Sequence, residues 1–201
     1  MQSIEGRIMN YKEQIRAVFD KEIKALDTAK ENIGGSLDAV IEALYQCKGK
    51  VVFSGVGKSG NIGAKLASTF SSLGTPSFFM HPVEARHGDL GMLDKNDVVV
   101  LLSYSGESRE VTDLLPYIRK NGITSICITG NSKSTLSKGC DITYSFPEME
   151  EASKFGLAPT SSTTTLLVFG DAVAVILSEL KGFRKEDFAA IHPGGTLGEN
   201  L

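Results

Sequence analysis

The chain has 201 residues, of which 41% are hydrophobic and 22% charged, with 6 prolines and a formal net charge of −3. That length and composition suit one globular domain with a continuous core, and exclude wholesale disorder and a disulfide scaffold. The mild negative charge argues against a nucleic-acid partner, because a phosphate backbone calls for a positive footprint, although backbone N–H groups can still build local anion sites.

The opening stretch mixes acids with bases and lacks an apolar signal region, so a cytoplasmic location is expected. Residues 8–30 carry Ile8, Tyr11, Ile15, Val18, Phe19, Ile23 and Leu26 at helical spacing near one face. Gly34-Gly35 separates this helix from a second, predicted over 36–47. The pattern then changes to short apolar runs at 50–54, 75–80, 97–103, 123–129 and 141–146, which read as strands. The run at 97–103 is continuously apolar, as a strand buried on both faces should be.

Helical segments are predicted between the strands, at 61–73, 108–121 and 132–138, with Asn121-Gly122 and Lys138-Gly139 as helix stops. The longest apolar stretch, 163–180, is interrupted by Asp171 and Glu179 and lacks flanking basic anchors, so it reads as a buried helix and no membrane contact is expected. Strand alternating with helix implies parallel βαβ units. The predicted fold is therefore a single three-layer α/β/α domain on a five-stranded parallel sheet, with residues 1–48 as a helical extension of a 49–201 core. Cys47, Cys127 and Cys140 form no CxxC pair, which argues against a metal ribbon, and Cys127 reads as a small core residue.

Ligands of an open parallel sheet bind outside the carboxyl ends of its strands. Three polar loops fall there. The first, Ser54-Gly55-Val56-Gly57-Lys58-Ser59-Gly60, lacks the glycine spacing of a P-loop, and its G-x-G-x-x-G match is not followed by an acid that could hold a ribose. A tight turn explains the glycines, and Lys58 adds a fixed cation suited to an anion. The second loop contains Ser103, Ser105 and Ser108, where hydroxyls and a helix start can cradle an anion or simply cap the helix. The third places Thr160, Ser161, Ser162 and Thr163 at the start of the long apolar helix, as an anion or polyol platform or as an over-determined cap. His87 and His192 lie in glycine-rich loops, where catalytic groups are often mounted, whereas His81 beside Pro82 looks structural.

Read together, GVGKSG, HGDLGM, SYSGES, GLAPTSST and HPGGTLG occur in the order found in the SIS (sugar isomerase) domain family, and the chain most resembles its D-arabinose 5-phosphate isomerases from about residue 10 onward. The resemblance implies interconversion of D-ribulose 5-phosphate and D-arabinose 5-phosphate, with Lys58, His87, Glu110, Glu151 and His192 at functional positions. It implies that the serines of the second loop and Thr160 to Thr163 hold the phosphate. It also implies a homodimer or homotetramer with sites shared between subunits. Many members carry two CBS domains after HPGG; this chain ends at Leu201, so the short form is expected.

Aldose–ketose isomerisation through an enediol needs a base for the carbon-bound proton and donors for the developing enediolate, but no metal or redox cofactor. Glu110 or Glu151 is the candidate base, a histidine opens the sugar ring or moves the oxygen-bound proton, and Lys58 stabilises charge near O1 and O2. Glu110 also suits a helix's first turn on electrostatic grounds alone. Two other readings stay open: a sugar-phosphate sensor without turnover, and an isomerase for another substrate such as a hexulose 6-phosphate.

Overall fold

The β-branched and aromatic runs form β1 (Val51–Gly55), β2 (Ser77–Phe79), β3 (Val98–Leu102), β4 (Thr124–Thr129) and β5 (Ile142–Ser145) in a computed structural model that describes residues 4–194. All pairings are parallel and the spatial order is β2-β1-β3-β4-β5. Register sets Phe53 between Phe79 and Val100. Every residue of β1 and β3 is buried, as the unbroken apolar run of β3 requires of a central strand covered on both sides.

Period-two alternation divides the core between the two faces. Phe53, Val100, Leu102 and Ile126 pack against α2 (Leu37–Tyr45), α3 (Gly57–Ser72) and α8 (Ser161–Leu180). Val52, Val99, Leu101 and Cys127 pack beneath α4 (Pro82–Arg86), α5 (Arg109–Thr112), α6 (Leu115–Lys120) and α7 (Thr135–Gly139). The three-layer α/β/α prediction holds, as does the placing of Cys127 in the core.

Differences from the predicted elements have local causes. The helix expected over 108–121 divides into α5 and α6 because Pro116 has no N–H to continue the ladder. Helix α3 begins at Gly57, ahead of the expected 61, on a φ of +58° that glycine adopts without strain. Gly122 ends α6 at φ +63°, as predicted. Gly139 instead lies inside α7, where a Cβ would stand 2.3 Å from Leu115 Cδ1, so packing and not a left-handed stop requires it. A short helix missed in the sequence, α9 (Lys185–Ile191), starts where the Arg184 N–H donates to Asp187 Oδ2 at 2.9 Å.

The N-terminal helix α1 (Ile4–Glu31) docks on α8 through its C-terminal half, where Ala25 is buried and Glu22 accepts from Thr164 Oγ1 at 2.7 Å. The apolar face predicted for it is only partly used: Tyr11, Ile15, Val18, Phe19 and Ile23 are exposed. Helix α8 is long and apolar enough, by length and composition alone, to cross a membrane. Its Leu166, Val173, Ala174 and Leu177 are buried against α3 and the sheet, which accounts for one apolar face, while Val168, Val175, Ile176 and Leu180 stay exposed.

Candidate functional site

The chain leaves β1 toward β2 on one side and returns to β3 on the other, so a crevice opens between the carboxyl ends of β1 and β3. Beside it a small cleft lies over the carboxyl ends of β3 and β4. Ser59 from the first turn of α3, Ser103 from the end of β3, and Ser162 and Thr163 from the first turn of α8 line it together with Tyr104 and Thr129. Ile128, Phe146 and Leu166 supply its apolar wall. Residues from each of the three loops singled out in the sequence therefore line a common space.

The turn after β3 is held by its own serines. Ser103 Oγ accepts the Gly106 N–H at 3.1 Å and lies 3.0 Å from Ser108 Oγ, while Ser105 Oγ accepts the Glu107 N–H at 3.2 Å. Gly106 has φ +69°, and a Cβ there would sit 2.0 Å from Ser134 Oγ, so no larger residue fits without moving α7. The Glu107 carboxylate accepts the Thr135 N–H at 2.9 Å and ties this turn to the start of α7.

At the third loop, the N-terminus of α8 holds a carboxylate from its own chain. Glu151 Oε2 accepts the Thr160 N–H at 2.7 Å, the Thr160 hydroxyl at 3.0 Å and the Ser162 N–H at 3.3 Å, and Oε1 accepts the Ser162 hydroxyl. Burial works against its ionisation, but the Ser162 and Thr160 donors outweigh it and hold the carboxyl below its ordinary value. Thr163 Oγ1 donates to Thr160 O. Among the described residues the hydroxyls of Ser54, wholly buried in β1, and Ser161, wholly buried in α8, find no hydrogen-bond partner. Gly55 ends β1, and a Cβ on it would lie 3.0 Å from Leu102 O.

A model of the SIS domain matches residues 43–176, two thirds of the chain. The chain belongs to the SIS domain family. Among curated relatives, Arabinose 5-phosphate isomerase KdsD of Escherichia coli K12 is 48% identical over 186 residues, covering 92% of this chain and 57% of that protein. The Pseudomonas aeruginosa KdsD is 50% identical over 177 residues, covering 88% and 54%. The chain thus spans little more than half the length of these relatives. Among solved structures, an E. coli CFT073 protein in complex with arabinose 5-phosphate superposes with a TM-score of 0.90 at 46% identity, covering 92% of this chain and 98% of that one. A putative sugar-phosphate isomerase of Listeria monocytogenes gives 0.88 at 32%, covering 92% and 97%.

The remaining ionisable candidates do not line this cleft. Lys58 is exposed in the first turn of α3, and Glu110 is exposed in α5. His87 follows α4 and is exposed, and the Arg86–Asp113 ion pair at 2.8 Å fastens α4 to the end of α5. His192 closes α9, stacking on Phe188 at 3.8 Å between ring centroids, with Nδ1 2.8 Å from Phe188 O. Among the described residues these contacts lie within α9, and His192 does not line the cleft. Gly195 to Gly198 of the HPGGTLG segment lie outside the described residues. His81 caps α4, Nδ1 accepting the Val83 N–H at 3.3 Å, in keeping with a structural role.

Sequence reasoning passed over two residues of the cleft, Tyr104 and Thr129. Thr129 was legible as the last residue of β4 at the carboxyl edge of the sheet. Tyr104 lies inside the SYSGES motif, of which only the serines were singled out.

Proposed function

We propose that this SIS domain is an aldose–ketose isomerase interconverting D-ribulose 5-phosphate and D-arabinose 5-phosphate. The observation that carries this reading is the meeting of Ser59, Ser103, Ser162 and Thr163 in one cleft beside the anchored Glu151, in a chain 48–50% identical to proteins named arabinose 5-phosphate isomerase. The serine turn and the helix starts hold the phosphate through hydroxyls and N–H groups, leaving C1 and C2 toward the ionisable rim. Glu151 stays ionised near neutral pH because four donors stabilise its charge, so it can accept a proton although they temper its basicity. Glu110 is the other candidate base, and Lys58 would offset charge on the enediolate oxygens.

Among the described residues His192 contacts its own helix and not the cleft, which favours its acting in a neighbouring subunit's site within a homodimer or homotetramer. The exposed stripe on α1, with Phe155 and Leu157 exposed beside Glu151's segment, supports such an assembly. The free thiols of Cys47, Cys127 and Cys140 suit a reducing, cytoplasmic setting.

Incubation of the purified protein with ribulose 5-phosphate in D₂O, followed by NMR, tests the reading. Arabinose 5-phosphate carrying deuterium at C2 is the expected product. A thermal shift with ribulose 5-phosphate but no conversion would replace the isomerase with the sensor, and conversion confined to hexulose 6-phosphate would move the substrate. In the same assay Glu110→Gln and Glu151→Gln separate the two carboxylates, because only loss of the true base abolishes C2 exchange.

A further inference from the structure

We infer that Thr129 is a positioning residue of this site: its hydroxyl clamps the serine turn after β3 to the loop that leaves β4. The inference rests on reading the serine turn as the phosphate grip of the isomerase. Thr129 ends β4, is only 1% exposed and lines the cleft beside Ser103 and Tyr104. Its Oγ1 donates to Tyr104 O at 3.1 Å and accepts the Asn131 N–H at 3.1 Å, so one hydroxyl holds the serine turn and its own loop together. The Gly130 N–H joins it on Tyr104 O at 2.9 Å. The next two carbonyls of the turn are engaged by the same loop: Asn131 Nδ2 donates to Ser105 O at 3.4 Å, and the Leu136 N–H to Gly106 O at 3.0 Å. A Cβ on Gly106 would stand 3.2 Å from Thr129 Oγ1, so closely do the two loops lie.

A bound anion gives that clamp its use. A peptide carbonyl carries partial negative charge and repels a phosphate, whereas hydroxyls and N–H groups attract one. In the serine turn the consecutive carbonyls of Tyr104, Ser105 and Gly106 all accept from donors in residues 129–136, which keeps them from rotating toward a phosphate. The hydroxyls of Ser103 and Ser105 act within the turn on the N–H groups of Gly106 and Glu107, so fixing the carbonyls falls to the loop after β4. Thr129 suits the task because a β-branched side chain on a buried strand end has little χ1 freedom to lose. Removing its hydroxyl frees one face of the Tyr104 carbonyl and takes the acceptor from the Asn131 N–H.

Thr129→Val removes the hydroxyl at nearly the same shape, and Thr129→Ser keeps it. Both are compared with the parent by calorimetric titration with inorganic phosphate, by steady-state kinetics with ribulose 5-phosphate and by thermal melting. In Thr129→Val the phosphate Kd and the KM are each expected to rise about tenfold while kcat stays within about threefold, the pattern of a lost ground-state grip. Thr129→Ser should bring both back to within about twofold of the parent although it loses a buried methyl group and melts lower, which separates the clamp from packing. Parental phosphate affinity in Thr129→Val, or a loss of affinity that Thr129→Ser shares, overturns the inference. If Thr129→Val does not fold, Asn131→Ala decides, because that side chain is exposed: a phosphate Kd raised about threefold supports the clamp, and an unchanged one overturns it. A parent that binds phosphate without converting ribulose 5-phosphate defeats the proposed function alone, and the phosphate titrations still decide the role of Thr129. A parent that binds no phosphate overturns the inference.

Discussion

Glu151 carries its charge at the one helix end best furnished to receive it. Two N–H groups and two hydroxyls from Thr160 and Ser162 converge on its oxygens. A carboxyl held below its ordinary value of 4.5 in the folded chain contributes stability that is complete above about pH 4.5 and is lost as pH falls through the lower folded value. Glu151→Gln is therefore expected to melt below the parent at neutral pH, and the gap should close as the pH falls below 4.5; thermal denaturation across an acid series checks it. A gap that persists undiminished in acid would mean that shape, and not charge, fixes this contact. The serines that meet in the cleft were legible because each follows a strand or opens a helix at the sheet's carboxyl edge. The anchoring of Glu151 was not, since nine residues separate it from Thr160 and no local pattern links them.

Among the elements, the strands were the clearest in sequence, because β1, β3 and β4 are buried along nearly their whole length and carry short apolar runs, unbroken in β3. Helix limits were less so, being set by partners: Leu115 decides what Gly139 is for, and a prolyl ring divides α5 from α6. The crossing of α3 over α8 shows the same dependence. Gly170 of α8 lies against Leu66 of α3, where an added Cβ would stand 2.4 Å from both methyl carbons of a leucine only 1% exposed. Leu66 borders a small internal cavity that Gly170 also lines, so it must leave its packed position for the added methyl group to fit. Gly170→Ala is expected to destabilise the fold by about 1–3 kcal/mol despite alanine's better helix propensity. Shortening the neighbour should restore part of that loss, so Leu66→Val/Gly170→Ala ought to be more stable than the two single costs added together. Urea denaturation of the four proteins gives the coupling directly, and simple additivity would show that the pair does not set the approach.

Over the whole molecule, the sequence marked one apolar face on α1 without saying what covers it. The inner part meets α8, through Ala25 and the Glu22–Thr164 hydrogen bond, while Tyr11, Ile15, Val18, Phe19 and Ile23 remain in solvent. A helix of 28 residues is about 42 Å long, more than one domain of this size can cover along a single edge. In the proposed assembly that stripe packs against a second copy, and charge placed in it should break the contact without reaching the core. Ile15 and Phe19 are 59% and 64% exposed, so Ile15→Glu/Phe19→Glu is expected to leave the melting of the isolated domain cooperative while lowering the mass measured by light scattering. Lys21 and Glu22, on the same helix, hold Glu150 and Thr164 on either side of the Glu151 anchor, so separation of the subunits should also loosen that carboxylate. Turnover should then fall together with the mass, and dilution of the variant should not restore it. A parent already monomeric at micromolar concentration, or a dissociated variant with full activity, would confine the site to one chain and require His192 to reach it by a movement of α9.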